Sequence, residues 1–155
     1  MNVERVMKRD VRACRLDEKL NRAAQLMWDN ACGCVPIVSE RDQPIGILTD
    51  RDICMAAYTQ GRPLSEITVA TSMAHKVITC RTEDDVHHVI DLMRENAIRR
   101  MPVVDNDGRL CGLVSLDDLA AESLRSLRGA INRELANRLG EAFVSICARR
   151  ARKSG

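Results

Sequence analysis

Apolar side chains recur at helical spacing in two separate parts of the chain. The first stripe follows Asp17 and the second follows Thr82, and both leading residues are typical N-caps. The first stripe consists of Leu20, Ala23, Ala24, Met27 and Ala31, and the second consists of Val86, Val89, Ile90, Met93 and Ala97. The pattern predicts two amphipathic helices of similar design.

The pattern of a β-hairpin follows each predicted helix. A run rich in β-branched residues is followed by a polar turn and a second apolar run. Pro36 and Pro102 stand early in the first runs, where we expect a sheet edge or a strand start because proline has no N–H. The runs are residues 35–38 and 45–48 in the first hairpin and residues 101–104 and 111–114 in the second.

Each hairpin leads into one more helix, and a strand-like stretch precedes the first helix of each set. The order of elements is therefore β-α-β-β-α, written twice, with a glycine–proline break between the copies. We expect the helices at about residues 50–58 and 116–127, the strands at 11–13 and 77–79, and the break at 61–63.

The two sets are copies at a fixed offset of 66 residues, without a gap. An internal repeat fixes the architecture, and it gives any site in one copy a twin in the other. Each copy is marginal in size alone, so we expect the copies to cover each other's apolar faces. Identical pairs include Val3 and Val69, Met7 and Met73, Cys14 and Cys80, Pro36 and Pro102, and Asp52 and Asp118. The sequence predicts an α+β fold with repeats at 1–61 and 62–128 and a C-terminal amphipathic helix with a basic tail at 129–155.

The C-terminal segment has an apolar stripe and a basic end. Residues 129–155 hold six basic and two acidic residues, whereas the rest of the chain holds 18 basic and 20 acidic ones. Cations at a helix C-terminus are favourable, which already explains the basic end. We expect the stripe to pack on the module or on a second subunit, in preference to a membrane or nucleic acid. Its positions are Ile131, Leu135, Leu139, Ala142, Phe143 and Ile146.

Composition narrows the classes of function. Trp28, Tyr58 and Phe143 are the only aromatic residues, which disfavours a base-stacking nucleic-acid binder. The start of the chain has no apolar signal region, and no stretch reaches the roughly 18 apolar residues of a membrane span, so we expect a cytoplasmic protein with no membrane partner. Seven cysteines, an odd number, fit reduced thiols better than a disulfide framework.

A hydroxyl and a carboxylate stand three residues apart where the second strand of each copy meets the second helix. The hydroxyl and the free N–H groups of the helix start can hold a phosphate, and the carboxylate can accept bonds from two neighbouring ribose hydroxyls. A glycine three residues before the hydroxyl lets a ligand approach the backbone. These residues are Gly46, Thr49 and Asp52 in the first copy and Gly112, Ser115 and Asp118 in the second. The hydroxyl–carboxylate pairs also fit plain helix capping, and duplication copies a cap as readily as a site.

The repeat, the Val-Pro-Ile-Val and Met-Pro-Val-Val strands and the Gly-x-x-Thr/Ser-x-x-Asp junctions resemble tandem cystathionine-β-synthase (CBS) domains, the pair called a Bateman module. The resemblance covers roughly residues 3–127. Within the family, the chain most resembles small stand-alone bacterial proteins made of one such pair, which often have stress-linked or regulatory roles. It implies two repeats packed about a pseudo-twofold axis. It also implies two clefts for adenosine-containing ligands such as AMP, ADP, ATP or S-adenosylmethionine.

The resemblance implies roles for single residues as well. The aspartates would hold the ribose and the hydroxyl residues the phosphate. Basic residues before the hydrophobic-Pro-Val strand often reach the phosphates in this family, and they match Arg99 and Arg100, whereas the first copy has Gly33 and Cys34 there. If the pseudo-twofold axis brings an arginine across to Thr49 and its partner Asp52, that cleft is the better one for charged phosphates, and the two sites are unequal.

Other assignments remain open beside this one. Arg99 and Arg100 could instead be solvated or pair with Asp105 and Asp107. Cys32, Cys34 and His87 or His88 could serve a metal- or redox-responsive module, although Cys-x-Cys and adjacent histidines are poor matches to zinc spacing, and we expect no metal and no required cofactor.

No catalytic constellation emerges, so we expect no enzyme. Together with this expectation, the resemblance to tandem CBS domains implies a non-enzymatic adenine-nucleotide sensor involved in energy sensing, a homodimer that signals to an unknown protein by conformational change. The rivals are an interaction protein that binds no nucleotide, the metal or redox module, and DNA binding through the tail, which steep salt dependence would reveal.

Overall fold

The structure, a computed structural model, describes residues 1–125 and 132–152. Strand β1 pairs antiparallel with β2, and β3, β4 and β5 form a second sheet in that order. The doubled α+β order and the C-terminal helix are confirmed. The helices are α1 (Leu20–Asp29), α2 (Asp50–Gln60), α3 (Val86–Asn96), α4 (Leu116–Arg125) and α5 (Arg133–Arg152), and the strands are β1 (Cys34–Val38), β2 (Pro44–Thr49), β3 (Cys80–Arg81), β4 (Arg100–Val104) and β5 (Leu110–Ser115).

Helix α1 begins later than predicted, and Asp17 does not cap it. Its N-cap is Lys19, which makes no side-chain cap hydrogen bond. The first N–H groups of the helix are satisfied by a distant backbone segment instead, since Leu20 N donates to Ile67 O at 2.9 Å and Asn21 N donates to Leu64 O at 3.3 Å. Tertiary backbone pairing thus replaces the side-chain cap.

Helix α3 also begins later than predicted. Its N-cap is Asp85, whose carboxylate accepts a hydrogen bond from His87 N at 2.9 Å. Thr82, the predicted cap, lies before this point and donates its hydroxyl to Glu83. The copies therefore start their first helix at equivalent positions but satisfy the helix start differently.

The strand-like stretches at 11–13 and 77–79 do not pair; pairing begins further along the chain, at Cys14 and at β3. Cys14 N donates to Pro36 O at 3.0 Å, and Val38 N donates to Cys14 O at 2.9 Å. Pro102 lies within β4, the central strand of its sheet, so the expected edge or strand start is wrong there, whereas Pro36 lies in β1, an edge strand of the two-stranded sheet, whose outer side meets only the isolated bridge at Cys14. The missing N–H of Pro36 is tolerated because it faces the side where Cys14 alone pairs.

The chain divides into two compact units. The first unit comprises Asp10–Thr79 and Val104–Cys111, and the second comprises Met1–Arg9, Cys80–Val103 and Gly112–Gly155. In the second unit Lys8 bridges Leu113 of β5, and in the first unit its repeat twin Ala74 bridges Ile47 of β2. Each unit thus completes its sheet with the segment that leads into the other copy, so units in space differ from copies in sequence.

The core of each unit is aliphatic. All three aromatic side chains lie at the surface, with Trp28 88% exposed, Tyr58 82% and Phe143 50%. The first unit buries residues of α1, β1, β2 and α2 together with Ile67, Val69 and Met73. The second buries Val3 and Met7 together with residues of α3, β4, β5, α4 and α5, among them Ile90, Met93, Met101 and Leu119.

Helix α5 packs against α3 and α4 within the second unit. Its stripe is buried at Leu135, Leu139, Ala142 and Ile146. Two arginines fasten it to α3: Arg138 Nη1 lies 3.3 Å from Asp91 Oδ2, and Arg149 Nη1 donates to Glu95 O at 2.6 Å. Packing of the stripe on the chain itself is confirmed for these residues, while Ile131 lies outside the described ones. No helix in the described residues combines the length and apolar character that crossing a membrane requires.

Candidate functional site

The first junction is a closed capping box. Strand β2 ends at Thr49, which is the N-cap of α2. The backbone N–H and the hydroxyl of Thr49 both donate to Asp52 Oδ2, at 2.8 and 2.7 Å, and Asp52 N donates back to Thr49 Oγ1 at 3.2 Å. Three hydrogen bonds therefore hold this pair without any ligand.

The second junction repeats this arrangement. Ser115 N donates to Asp118 Oδ2 at 3.0 Å, and its hydroxyl donates to the same oxygen. Asp118 N donates to Ser115 Oγ at 3.1 Å. Both pairs therefore serve as caps, as the alternative interpretation of the sequence proposed. A role in ligand binding has to rest on the atoms of these pairs that make no capping hydrogen bond.

At the first junction one oxygen of the Asp52 carboxylate takes no part in the cap. Asp52 Oδ1 has no hydrogen-bond or ion-pair partner among the described residues. The N–H groups expected to be free are not free, because Asp50 N donates to Gly33 O at 3.2 Å and Arg51 N donates to Asp50 Oδ1 at 2.8 Å. An open acceptor fits ligand hydroxyl groups, whereas a phosphate would have to displace existing bonds.

Gly46 and Gly112 are explained by close contacts within the chain. A Cβ at Gly46 would lie 2.8 Å from Ala74 O and 2.8 Å from Met73 Sδ. A Cβ at Gly112 would lie 2.6 Å from Met7 Sδ. The space beside each glycine is thus filled by the segment that leads into the other copy of the repeat, Met73 and Ala74 at Gly46 and Met7 and Lys8 at Gly112, which we call the exchanged segments. The expected approach of a ligand to these glycines stays a prediction.

Arg99 contacts helix α5. Its guanidinium lies over the Phe143 ring, 5.1 Å from the ring centroid, and its Nη2 donates to Cys147 Sγ at 3.6 Å. A guanidinium at this distance from an aromatic face is attracted by the ring's electrons. Arg99 Nε is buried without a hydrogen-bond partner. This side chain is therefore neither simply solvated nor paired with an acid.

Arg100 is half-buried at the start of β4, and no ion pair of Arg100 is found in residues 1–125 and 132–152. The alternative partners of the two arginines are occupied by the hairpin turn: Asp105 Oδ1 accepts from Asp107 N and Arg109 N, both at 2.9 Å, and Asp107 Oδ2 lies 3.9 Å from Arg109 Nη1. The pairing of Arg99 or Arg100 with Asp105 and Asp107 is therefore wrong. Their predicted approach to the first junction stays a prediction.

The candidate metal ligands do not converge. Cys32 Sγ donates to Cys34 O at 3.4 Å, and both histidines lie on α3. No group of three or more His, Cys, Asp or Glu side chains suited to a metal ion occurs within the described parts of the chain.

One residue at the second junction escaped sequence reasoning. Lys8 Nζ lies 3.3 Å from Asp118 Oδ1, the oxygen that the cap leaves over. A signal was present in the repeat, because Lys8 is a cation inside a copied segment whose twin position holds Ala74. The two junctions therefore differ in charge at the carboxylate oxygen that takes no part in the cap.

A protein-family model for the CBS domain matches residues 3–58 and 64–125. The chain is 35% identical over 119 residues to the protein MK0525 of Methanopyrus kandleri, a match that covers 77% of this chain and 61% of that protein. It is 32% identical over 127 residues to the CBS domain-containing protein YhcV of Bacillus subtilis, covering 79% and 86%. It also matches a homoserine O-acetyltransferase of Methanosalsum zhilinae at 30% identity, but covers 23% of that enzyme.

Solved structures agree with this match. Hypoxic Response Protein I, solved with two coordinated zinc ions, has a TM-score of 0.71 at 27% identity and covers 78% of this chain and 98% of its own. The CBS domain pair of MJ0100, in complex with 5′-methylthioadenosine and S-adenosyl-L-methionine, has a TM-score of 0.70 at 26% identity, covering 79% and 98%. The cytosolic domain of the Mg²⁺ channel MgtE in complex with ATP has a TM-score of 0.66 at 25% identity, covering 78% and 48%.

Proposed function

Because the chain belongs to the CBS-domain family, we propose that it is a non-enzymatic regulatory module that binds adenosine-containing ligands at its strand–helix junctions. The similar CBS pair of MJ0100 holds S-adenosyl-L-methionine and 5′-methylthioadenosine, and the similar domain of MgtE holds ATP. AMP, ADP, ATP and S-adenosylmethionine are therefore the candidate ligands. The match to an acetyltransferase covers too little of that enzyme to support its activity here.

The observation that supports this proposal is that only one of the two oxygens of each aspartate carboxylate accepts the capping hydrogen bonds. In both aspartates Oδ2 accepts the capping hydrogen bonds, and Oδ1 accepts none of them. Asp52 Oδ1 is an acceptor without a partner among the described residues, and ribose hydroxyls are donors that match it. One side chain can therefore cap its helix and bind a ligand at the same time.

Calorimetric titration of AMP, ATP and S-adenosylmethionine into the wild-type protein, Asp52→Ala and Asp118→Ala tests this proposal. A hydrogen bond to a charged group contributes roughly 1.5–3 kcal/mol, so each substitution should weaken binding at its own junction about ten- to a hundredfold. Urea unfolding of the same variants separates loss of binding from loss of the cap, which costs about 1 kcal/mol. An effect on affinity below about threefold would contradict the ribose assignment.

We also propose that the protein acts as a cytoplasmic homodimer and that a partner protein reads a ligand-induced change of conformation. This step rests on the family resemblance. The coupling to the partner cannot exceed the difference in ligand affinity between the two conformations. A role in energy sensing or stress response belongs to this proposal as well.

The second candidate is an interaction protein that binds no nucleotide. The complete capping boxes favour it, because they explain both hydroxyl–carboxylate pairs without a ligand. Failure of all three adenosine compounds to bind folded protein would exclude the first candidate and favour this one. The zinc ions of Hypoxic Response Protein I suggest a third, but the described residues offer no ligand cluster for it.

A further inference from the structure

The two junctions make the same capping bonds but differ in the charged groups beside them. At the second junction the ammonium of Lys8 lies 3.3 Å from Asp118 Oδ1. At the first junction the equivalent position holds Ala74, and Asp52 has no ion pair among the described residues. The first helix turns differ as well, with Asp50 and Arg51 in one and Leu116 and Asp117 in the other, so the effect of Lys8 is isolated by its substitution within one junction.

The backbone fixes Lys8 beside the junction. Lys8 N donates to Leu113 O, and Leu113 N donates to Lys8 O, both at 2.9 Å. The preceding Met7 is buried against Gly112. From this anchored position the side chain, 71% exposed, reaches over the carboxylate of Asp118, which is only 14% exposed. The ammonium therefore covers the oxygen that the cap leaves open.

We propose that Lys8 is a specificity-determining residue that weakens the second junction for uncharged adenosine compounds and so makes the first junction the tighter site for them. The inference rests on the proposed function, because it takes Asp118 Oδ1 as the acceptor for the ligand's hydroxyl groups. Such a ligand must displace the ammonium. An exposed ion pair is weak, so its displacement lowers affinity by about two- to fivefold, and salt reduces the difference.

The test measures binding of 5′-methylthioadenosine, which carries no phosphate that Lys8 could attract. Asp52→Ala silences the first junction, and affinity is compared with and without Lys8→Ala in that background. Removing Lys8 should tighten binding about two- to fivefold at low salt, and the gain should shrink at high salt. Conversely, Ala74→Lys in the Asp118→Ala background should weaken the first junction by a similar factor.

Arg9→Ala is the matched control. Arg9 is the neighbouring exposed cation and pairs with Glu4 at 2.9 Å, so its removal changes net charge equally but leaves Asp118 untouched. Its affinity should stay unchanged. Unchanged or weaker binding on Lys8→Ala, or binding of AMP but not of 5′-methylthioadenosine, overturns this inference and leaves the proposed function standing. Absence of binding by every adenosine compound to folded wild-type protein overturns both.

Discussion

Alanine at Gly46 should destabilise the protein more than alanine at Gly112, although both glycines occupy the same repeat position. The new Cβ at Gly46 would lie 2.8 Å from the carbonyl oxygen of Ala74. That carbonyl accepts a hydrogen bond from Ile47 N at 3.2 Å and cannot retreat without lengthening it. The nearest atom at Gly112 is instead Met7 Sδ, near the end of a flexible side chain, and the backbone oxygen of Lys8 lies further off at 3.1 Å.

The magnitudes follow from what must move. Overpacking typically costs about 1–3 kcal/mol, and a methionine with three rotatable bonds yields more readily than a paired backbone segment. We expect Gly46→Ala to cost about 2–3 kcal/mol and Gly112→Ala about 1–2 kcal/mol. Both values are large beside a total stability of roughly 5–15 kcal/mol.

Equilibrium unfolding in urea measures these differences, provided that the denaturant slope stays constant among variants. Gly140→Ala is the control, because a Cβ there meets no heavy atom within 4 Å and α5 is helical around it. It should stabilise the protein by about 1 kcal/mol. Equal costs at Gly46 and Gly112, or no cost at Gly46, would refute the inferred packing of the exchanged segments.

Three further predictions concern single residues. Ala97, held at φ 54°, should gain about 0.5–1 kcal/mol of stability on change to glycine, whereas glycine at exposed helical Ala121 should cost about 1 kcal/mol; thermal unfolding checks both. The N-terminal ammonium and a backbone N–H lower the pKa of Asp85, so its charge stabilises the fold above the ordinary aspartate pKa and the contribution is lost as pH falls through the lowered value. Asp85→Asn should therefore destabilise at neutral pH, and urea unfolding should show the gap closing in acid. Burial raises the pKa of Cys14 to about 11, so a thiol reagent at mildly alkaline pH should modify exposed Cys54 and spare Cys14; equal rates would contradict its burial.

The periodicity of apolar side chains predicted the helices and the hairpins of the fold. The helices and hairpins carry apolar patterns, and their doubling was visible as a repeat. The start of α1 was not predictable, because Ile67 and Leu64 satisfy it through backbone oxygens that leave no mark on residue type. The pairing of each leading segment with the other copy of the repeat is also made by the backbone, at Lys8 and Ala74.

The sequence likewise predicted some features of the candidate site and not others. The spacing of Thr49 and Asp52 predicted both the cap and a ligand acceptor, but only coordinates show that one oxygen is used and the other is open. The contact of Arg99 with Phe143 and Cys147 was not predictable, because α5 lies outside the repeat and has no twin to compare.

Equilibrium dialysis of AMP, ATP and S-adenosylmethionine against the wild-type protein and the double variant Asp52→Asn, Asp118→Asn tests most directly whether the two aspartates bind the ligand. Asparagine keeps an acceptor oxygen for each cap but replaces the second carboxylate oxygen with a donor, so the fold should persist while the open acceptors disappear. We expect saturable binding to the wild-type protein and its loss in the double variant. Binding by the double variant within about threefold of wild type would contradict this expectation.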